Sequence, residues 1–360
     1  MPSLAELFSF SLAKRKASLD AFWIHPVVHS WARERLDIQP KQRKAQEALI
    51  LVGGIFKKTE NKSMYDWAFE KRIWSHMETV RMSVTELPRH PEHAVCCATS
   101  AIGHMYFDHG LYSQSENLFQ WSFEGQQKHL GDDHLDTLEA AHNMARVFCS
   151  QGEYSKALEW YQRALDGREK TLGKDHPSTL ITVNNMAVVF DSQGEYSKAL
   201  EWYQRALDDR EKTLGKDHPS TLETVHNMAV VFDSQGEYSK ALEWYQMALD
   251  GFDKTLGKDH PSTIKTVHNM ACVFYSQGEY SKALEWYQRA LDGFEKTLGK
   301  DHPDTLTSAK IVETLLPLPT KSLGQVSARR TGDGWQGGSR VRGVVSKVLD
   351  IMTSTRASCE

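Results

Sequence analysis

The sequence is poor in the features that announce chemistry or membranes. Five of its 360 residues are cysteine, Cys96, Cys97, Cys149, Cys272 and Cys359. They form neither a CxxC pair nor the spacing of a disulfide framework or zinc site, and an odd number suits a reducing compartment, so a cytoplasmic location is expected. No uninterrupted apolar run reaches the roughly 18 residues that a membrane span needs. Residues 1–20, MPSLAELFSFSLAKRKASLD, lack the basic-then-apolar order and small-residue cleavage site of a secretory signal. Direct membrane insertion is not expected.

An excess of one charge is missing too. Lys and Arg number 43 against 47 Asp and Glu, a formal net charge of -4, and the two signs are interspersed, which leaves no basic footprint for nucleic acid. Gly-x-Ser-x-Gly, HExxH and dinucleotide fingerprints are absent, and no cysteine has a nucleophile's context, so catalysis is not expected. The stretch GREKTLGKD imitates a phosphate loop, but five residues rather than four separate Gly167 from Gly173-Lys174. Asp175 stands where Ser or Thr would bind magnesium, and the stretch follows a helical pattern instead of a strand. No cofactor and no metal is expected.

What the chain does have is repetition. SQGEYSKALEWYQRALDGREKTLGKDHP, residues 150–177, returns almost unchanged at 192, 234 and 276, and units 135–176, 177–218, 219–260 and 261–302 align without a gap at a period of 42. Self-similarity at such a period indicates stacked supersecondary units. Each unit reads as two helices. In the second, Pro177 suits a first helical turn, and Leu180, Val183, Ala187 and Phe190 share one helical face. Gly194 is placed to end that helix in a left-handed cap, and Tyr196, Ala199, Tyr203 and Ala206 form the inward stripe of the next. Recurrent His176, His218, His260 and His302 suggest a metal, but stacking would separate them by roughly 20 Å if helices pack about 10 Å apart. They are read as joint residues ahead of a helix, and Trp160, Trp202, Trp244 and Trp286 as inter-helix packing.

The order of small and large residues at Ala187, Phe190, Ala199, Tyr203 and Ala206, repeated in all four units, resembles the tetratricopeptide repeat (TPR). A standard repeat of that family has about 34 residues, so the extra ones lengthen the second helix or its exit loop. The longer unit, with its Leu-Gly-Lys-Asp-His-Pro joint, is similar to the repeat of kinesin light chains. The resemblance implies an all-α fold, a right-handed superhelix of the α-solenoid kind. Residues 93–134 keep the register with Gly103, Tyr106, Gly110, Tyr112 and Phe119, but Ser115 and Ser122 at two alanine positions mark a degenerate repeat. Residues 303–318 read as a capping helix, PDTLTSAKIVETLL, stopped by Pro317 and Pro319. In 1–40, FWIHPVVHSWARERL reads as a strand followed by a helix from about His29, and resembles the winged-helix segment of fungal NLR-like (STAND) proteins; a small winged-helix-like remnant is expected there. Residues 41–92 read as a helical lead-in, and 319–360, rich in glycine and serine, as a flexible tail.

The units differ from one another mainly where function would be. Glu223/Lys265, Val230/Cys272, Asp233/Tyr275, Ile181/Glu223 and Asn184/His226 all fall on first helices, which in TPR folds line the concave face. Between them runs an unvaried row, Asn143, Asn185, Asn227 and Asn269. The resemblance to kinesin light chains implies that this asparagine faces a peptide groove, where a carboxamide can bond a peptide N–H and C=O together; bonding to the adjacent helix is the competing account. Glu139, Glu223, Lys265, Arg146, Asp191, Asp233 and Tyr275 complete the expected groove. His142, His226 and His268 beside the asparagines would make it more cationic below about pH 6.5.

The reading is a non-enzymatic interaction module, an adaptor, scaffold or regulator that binds a peptide segment of a partner protein in the concave groove. One alternative is the sensor fragment of an NLR-like signalling ATPase without its nucleotide-binding domain. Another, a kinesin light chain cargo adaptor, ranks lower because residues 1–90 hold no sustained heptad run. Near-identical repeats also allow self-association through shifted register.

Overall fold

The joint Gly-Lys-Asp-His-Pro determines where each helix pair begins. At residue 173 the backbone turns through a positive φ of 95°, which glycine adopts without strain. Thr179 Oγ1 then ties back to the Gly173 carbonyl at 2.8 Å, and His176 Nδ1 accepts the Ser178 N–H at 3.1 Å. The imidazole thus does the work of an N-cap, while Pro177 in the first turn lacks an N–H that would have been orphaned anyway. His218, His260 and His302 cap in the same way. The recurrent histidines are therefore joint residues, as their spacing suggested.

The far end of the same helix closes on Gly194, φ 74°. Its N–H reaches the Asp191 carbonyl at 2.8 Å and the Glu195 N–H reaches the Phe190 carbonyl at 2.9 Å, so two carbonyls of the last turn are satisfied within three residues.

The computed structural model describes residues 13–16, 21–24, 46–47, 50 and 92–316. Strands β1 (Ala13–Lys16) and β2 (Ala21–Ile24) pair antiparallel, Ala13 opposite Ile24. β2 contains the start of the strand expected at FWIHPVV; the helix expected from His29 and the tail at 319–360 lie outside the described residues. Helices α1 (His93–Asp108) and α2 (Tyr112–Leu130) form one pair. The four units follow as α3 (Leu135–Ser150) with α4 (Tyr154–Thr171), α5 (Pro177–Ser192) with α6 (Tyr196–Leu214), α7 (Pro219–Ser234) with α8 (Tyr238–Thr255), and α9 (Pro261–Ser276) with α10 (Tyr280–Thr297). Helix α11 (Pro303–Leu315) closes the series. Second helices run 18 or 19 residues against 16 for the first, so much of the extra length of the 42-residue unit extends the second helix.

The chain divides into two compact units, residues 1–131 and 132–360. In the first, Ser115 Oγ donates to the Gly103 carbonyl at 2.8 Å and Ser122 Oγ to the Cys96 carbonyl at 2.9 Å. The two serines that marked 93–134 as degenerate are buried ties between α1 and α2. In the second unit, successive helix pairs stack as an α-solenoid, each joint burying the second helix of one unit against the first helix of the next. Between the second and third units, Tyr203 and Leu207 meet Leu222, Val225 and Met228; one joint later Tyr245 and Leu249 meet Ile264, Val267 and Met270. Alanines 187, 199, 229, 241 and 248 are fully buried, which lets the helix axes approach. At the end Ile311, Val312 and Leu315 of α11 cover Tyr287 and Leu291.

Candidate functional site: the first-helix face of residues 135–302

On a first helix the positions that precede, contain and follow the asparagine, for example 181, 184, 185, 188 and 191, recur every three or four residues and so share one face. The structure splits this face into a buried layer and an open layer.

The buried layer is a polar ladder from unit to unit. Asn185 Nδ2 lies 3.2 Å from Nε2 of His142 in the preceding unit, and His142 Nδ1 lies 3.3 Å from Thr182 Oγ1. Because the carboxamide nitrogen can only donate, Nε2 accepts and Nδ1 carries the proton. Thr182 accepts that proton and one from Arg168 Nη1 at 2.8 Å, and gives its own to the Ser178 carbonyl at 3.2 Å. Two units on, Asn269 meets His226 Nε2 at 3.2 Å and His226 Nδ1 meets Thr266 at 3.0 Å. His268 meets Ser308 of α11 at 3.2 Å, but Ile311 occupies the asparagine position there. Each of the three imidazoles also sets its ring edge-on to the tyrosine of its own second helix, Tyr161, Tyr245 or Tyr287, at 5.2 Å between centroids.

This layer revises part of the expected groove. Asn143 is 1% exposed, and His142, His226 and Tyr275 are buried as well, Tyr275 against the ring of Tyr280 at 5.2 Å. They are packing between helices, not open surface. Burial, with Lys265 nearby, pushes the pKa of His226 down to about 3 and that of His268 to about 4. The expectation that these imidazoles make the face cationic below pH 6.5 is corrected: a ring held between helices and bonded as a neutral tautomer does not take the second proton there.

The open layer consists of Glu139, Ile181, Glu223 and Lys265, all exposed, with Arg146, Asn185, Asp191, Asn227, Asp233, His268 and Asn269 half-buried below them. One asparagine stands apart. The residue that corresponds to its histidine partner is Asn184, and half-buried Asn227 has no hydrogen-bond partner among the described residues.

Two arginines at the ends of second helices went unrecognised in the sequence. Arg168 is 3% exposed; it donates through Nη1 to the Ser178 carbonyl and Thr182, and through Nη2 to the Glu139 carboxylate. Arg210 repeats the first two bonds, to the Ser220 carbonyl at 2.6 Å and Thr224 at 2.7 Å. Burial lowers the pKa of both. At the equivalent places of the third and fourth units stand Phe252 and Phe294. The signal was the Arg, Arg, Phe, Phe series at a spacing of 42, whose two arginines each meet a threonine of the next first helix. The tryptophans pack within their own unit: Trp202 tilts against Phe190 with centroids 6.1 Å apart, and Arg205 lies over it at 5.6 Å.

The face is a surface with fixed polar packing below and variable side chains above. Among the described residues no helix is long and apolar enough to cross a membrane.

Comparison with known proteins agrees with this architecture. A crystal structure from Podospora anserina, described as a kinesin light chain with nearly identical TPR-like repeats, is 25% identical, covers 56% of this chain and 95% of its own, and gives a TM-score of 0.46. The apo quorum sensor NprR of B. thuringiensis is 13% identical with a TM-score of 0.57, over 92% of this chain and 88% of its own. A Rap protein in complex with Competence and Sporulation Factor is 12% identical with a TM-score of 0.52, over 78% and 81%. The last two likenesses concern the fold alone. No curated protein sequence matches. The tetratricopeptide repeat model matches residues 94–170, 142–212, 184–254 and 240–296, together more than half of the 360 residues, and the chain belongs to the tetratricopeptide repeat family.

Proposed function

We propose that the chain binds an extended or helical segment of a partner protein across the open layer of α3, α5, α7 and α9, in an adaptor, scaffold or regulatory role. The observation that carries this reading is the division of labour within the first helices. Beneath, Thr182, Thr224 and Thr266 are held in the same inter-unit ladder; above, the exposed position reads Glu139, Ile181, Glu223, Lys265. A scaffold with fixed spacing and varied contacts is what recognition of a polymer requires, since each unit can meet a successive part of the segment. A half-exposed carboxamide at Asn227 adds a donor pair and an acceptor suited to a peptide backbone. Rap, a protein of this fold, was solved with Competence and Sporulation Factor bound, so the architecture is compatible with such a role.

The test replaces open-layer residues alone, Ile181→Asp, Glu223→Lys and Lys265→Glu together. Alanine at the asparagines would disturb the ladder as well. Proteins retained on the immobilised wild type from a native extract are compared with those on the triple variant, after circular dichroism shows equal helicity. Loss of specific partners by the variant is expected. The same partners on both proteins would move binding elsewhere and overturn the reading.

A further inference from the structure

The two buried arginines are bonded alike except at one place. Arg168 spends Nη2 on the Glu139 carboxylate of its own unit. In the next unit the position of Glu139 is taken by Ile181, 45% exposed. Arg210, itself 3% exposed, keeps both Nη1 bonds but forms no ion pair among the described residues. Its Nη1 bonds match those of Arg168, and Ile181 holds in this unit the position from which Glu139 takes Nη2 of Arg168. The nitrogens it leaves unbonded are not sealed from solvent. Glu223 of the next first helix acts on it only through space. A guanidinium stays charged at neutral pH and has a fork shaped for a carboxylate. Removing most of its hydration with no carboxylate in hydrogen-bond contact is costly.

We propose that Arg210 anchors a carboxylate of the bound segment, which occupies beside Ile181 the place that Glu139 fills at Arg168. This rests on the open-layer reading and gives it a specificity: the segment carries an acidic group, an Asp or Glu side chain or a chain-terminal carboxylate, opposite the second unit, with an apolar neighbour against Ile181. The third and fourth units, with phenylalanine in this place, make no such demand.

The experiment screens the full chain against libraries of eight-residue peptides in which one position at a time is Asp, Glu, Asn, Gln or Leu, with free and with amidated C-termini. Wild type is expected to enrich an acid about tenfold over its amide at one position; preference for the free terminus alone would identify a terminal carboxylate as the source. Arg210→Phe, the residue the chain itself uses at 252 and 294, should keep binding the rest of the segment and lose the acid preference. Ile181→Glu, a change on the exposed surface, supplies the missing carboxylate internally and should abolish that preference too. Peptides that bind wild type and both variants with the same acid preference would overturn the anchor and leave the open-layer reading intact. Binding of no peptide by wild type would overturn both.

Discussion

The joint between the first and second units and that between the third and fourth do the same mechanical task with opposite chemistry. At the first, Arg168 is threaded between α3 and α5 and satisfies a carbonyl, a hydroxyl and a carboxylate. At the other, Phe252 stands in the place of Arg168 and clusters with Leu222, Val225 and Met228, and Thr266 is content with His226 and the Ser262 carbonyl. Helix lengths, caps and the alanine contacts are unchanged. The repeat backbone therefore tolerates either a directional polar plug or an apolar one, and the choice determines whether the adjoining open face carries a buried positive charge. Only the polar half can demand an anion of a ligand.

Truncation should separate the two kinds of joint. Phe252→Ala leaves a cavity under Leu222 and Val225 and should cost about 3–5 kcal/mol in chemical denaturation. Arg168→Ala should cost about 3 kcal/mol, because a buried guanidinium and three bonds are lost together. Arg168→Phe should recover roughly half of that or more, since Gly167 precedes it as Gly251 precedes Phe252 and Thr182 can fall back on its bond to the Ser178 carbonyl. If Arg168→Phe is as damaging as Arg168→Ala, the two solutions are not interchangeable and the comparison fails.

Acid should weaken the apolar half first. His226 and His268 have pKa values near 3 and 4 in the folded chain, below the ordinary histidine value of 6.5. Their contribution is complete above pH 6.5. As pH falls from 6.5 toward 4 the unfolded chain takes up protons that the folded chain refuses, and stability declines by up to about 1.4 kcal/mol per pH unit for each histidine. Replacing both by asparagine, the residue at 184, should flatten that decline between pH 6.5 and 4; an unchanged slope would show that these imidazoles are not held neutral. Least costly of these, Asn269→Ala removes one donor from His226 and should cost about 1 kcal/mol, while Asn227→Ala, which loses no internal bond, should change stability by less than about 0.5 kcal/mol.

The period of the sequence, its proline and glycine punctuation and its alanine spacing made the helix pairs legible, because capping and close helix approach are local or repeat-to-repeat rules. Pro177, Gly194 and the closing helix at 303–315 fall where those rules place them. The interior of the face was not legible. Asn185 and His142 are 43 residues apart, and whether a polar residue on a first helix faces solvent or the next unit depends on the stagger between units, which no residue pattern states. Tyr275 was expected in the groove because aspartate stands there in the preceding unit; Tyr280 offers its ring a buried partner instead. Arg168 and Arg210 looked like ordinary charged residues near a helix end, and only the three-dimensional placement shows that they are enclosed.

The most direct measurement of the central claim is site-specific photo-crosslinking with benzoylphenylalanine at Ile181 on α5 or at Met247 on α8, two exposed apolar positions at 45% and 53%. Irradiation in native extract should join a partner to the protein labelled at 181 and not to that labelled at 247. A partner captured at 247 and absent at 181 would place recognition on the second helices and contradict the account.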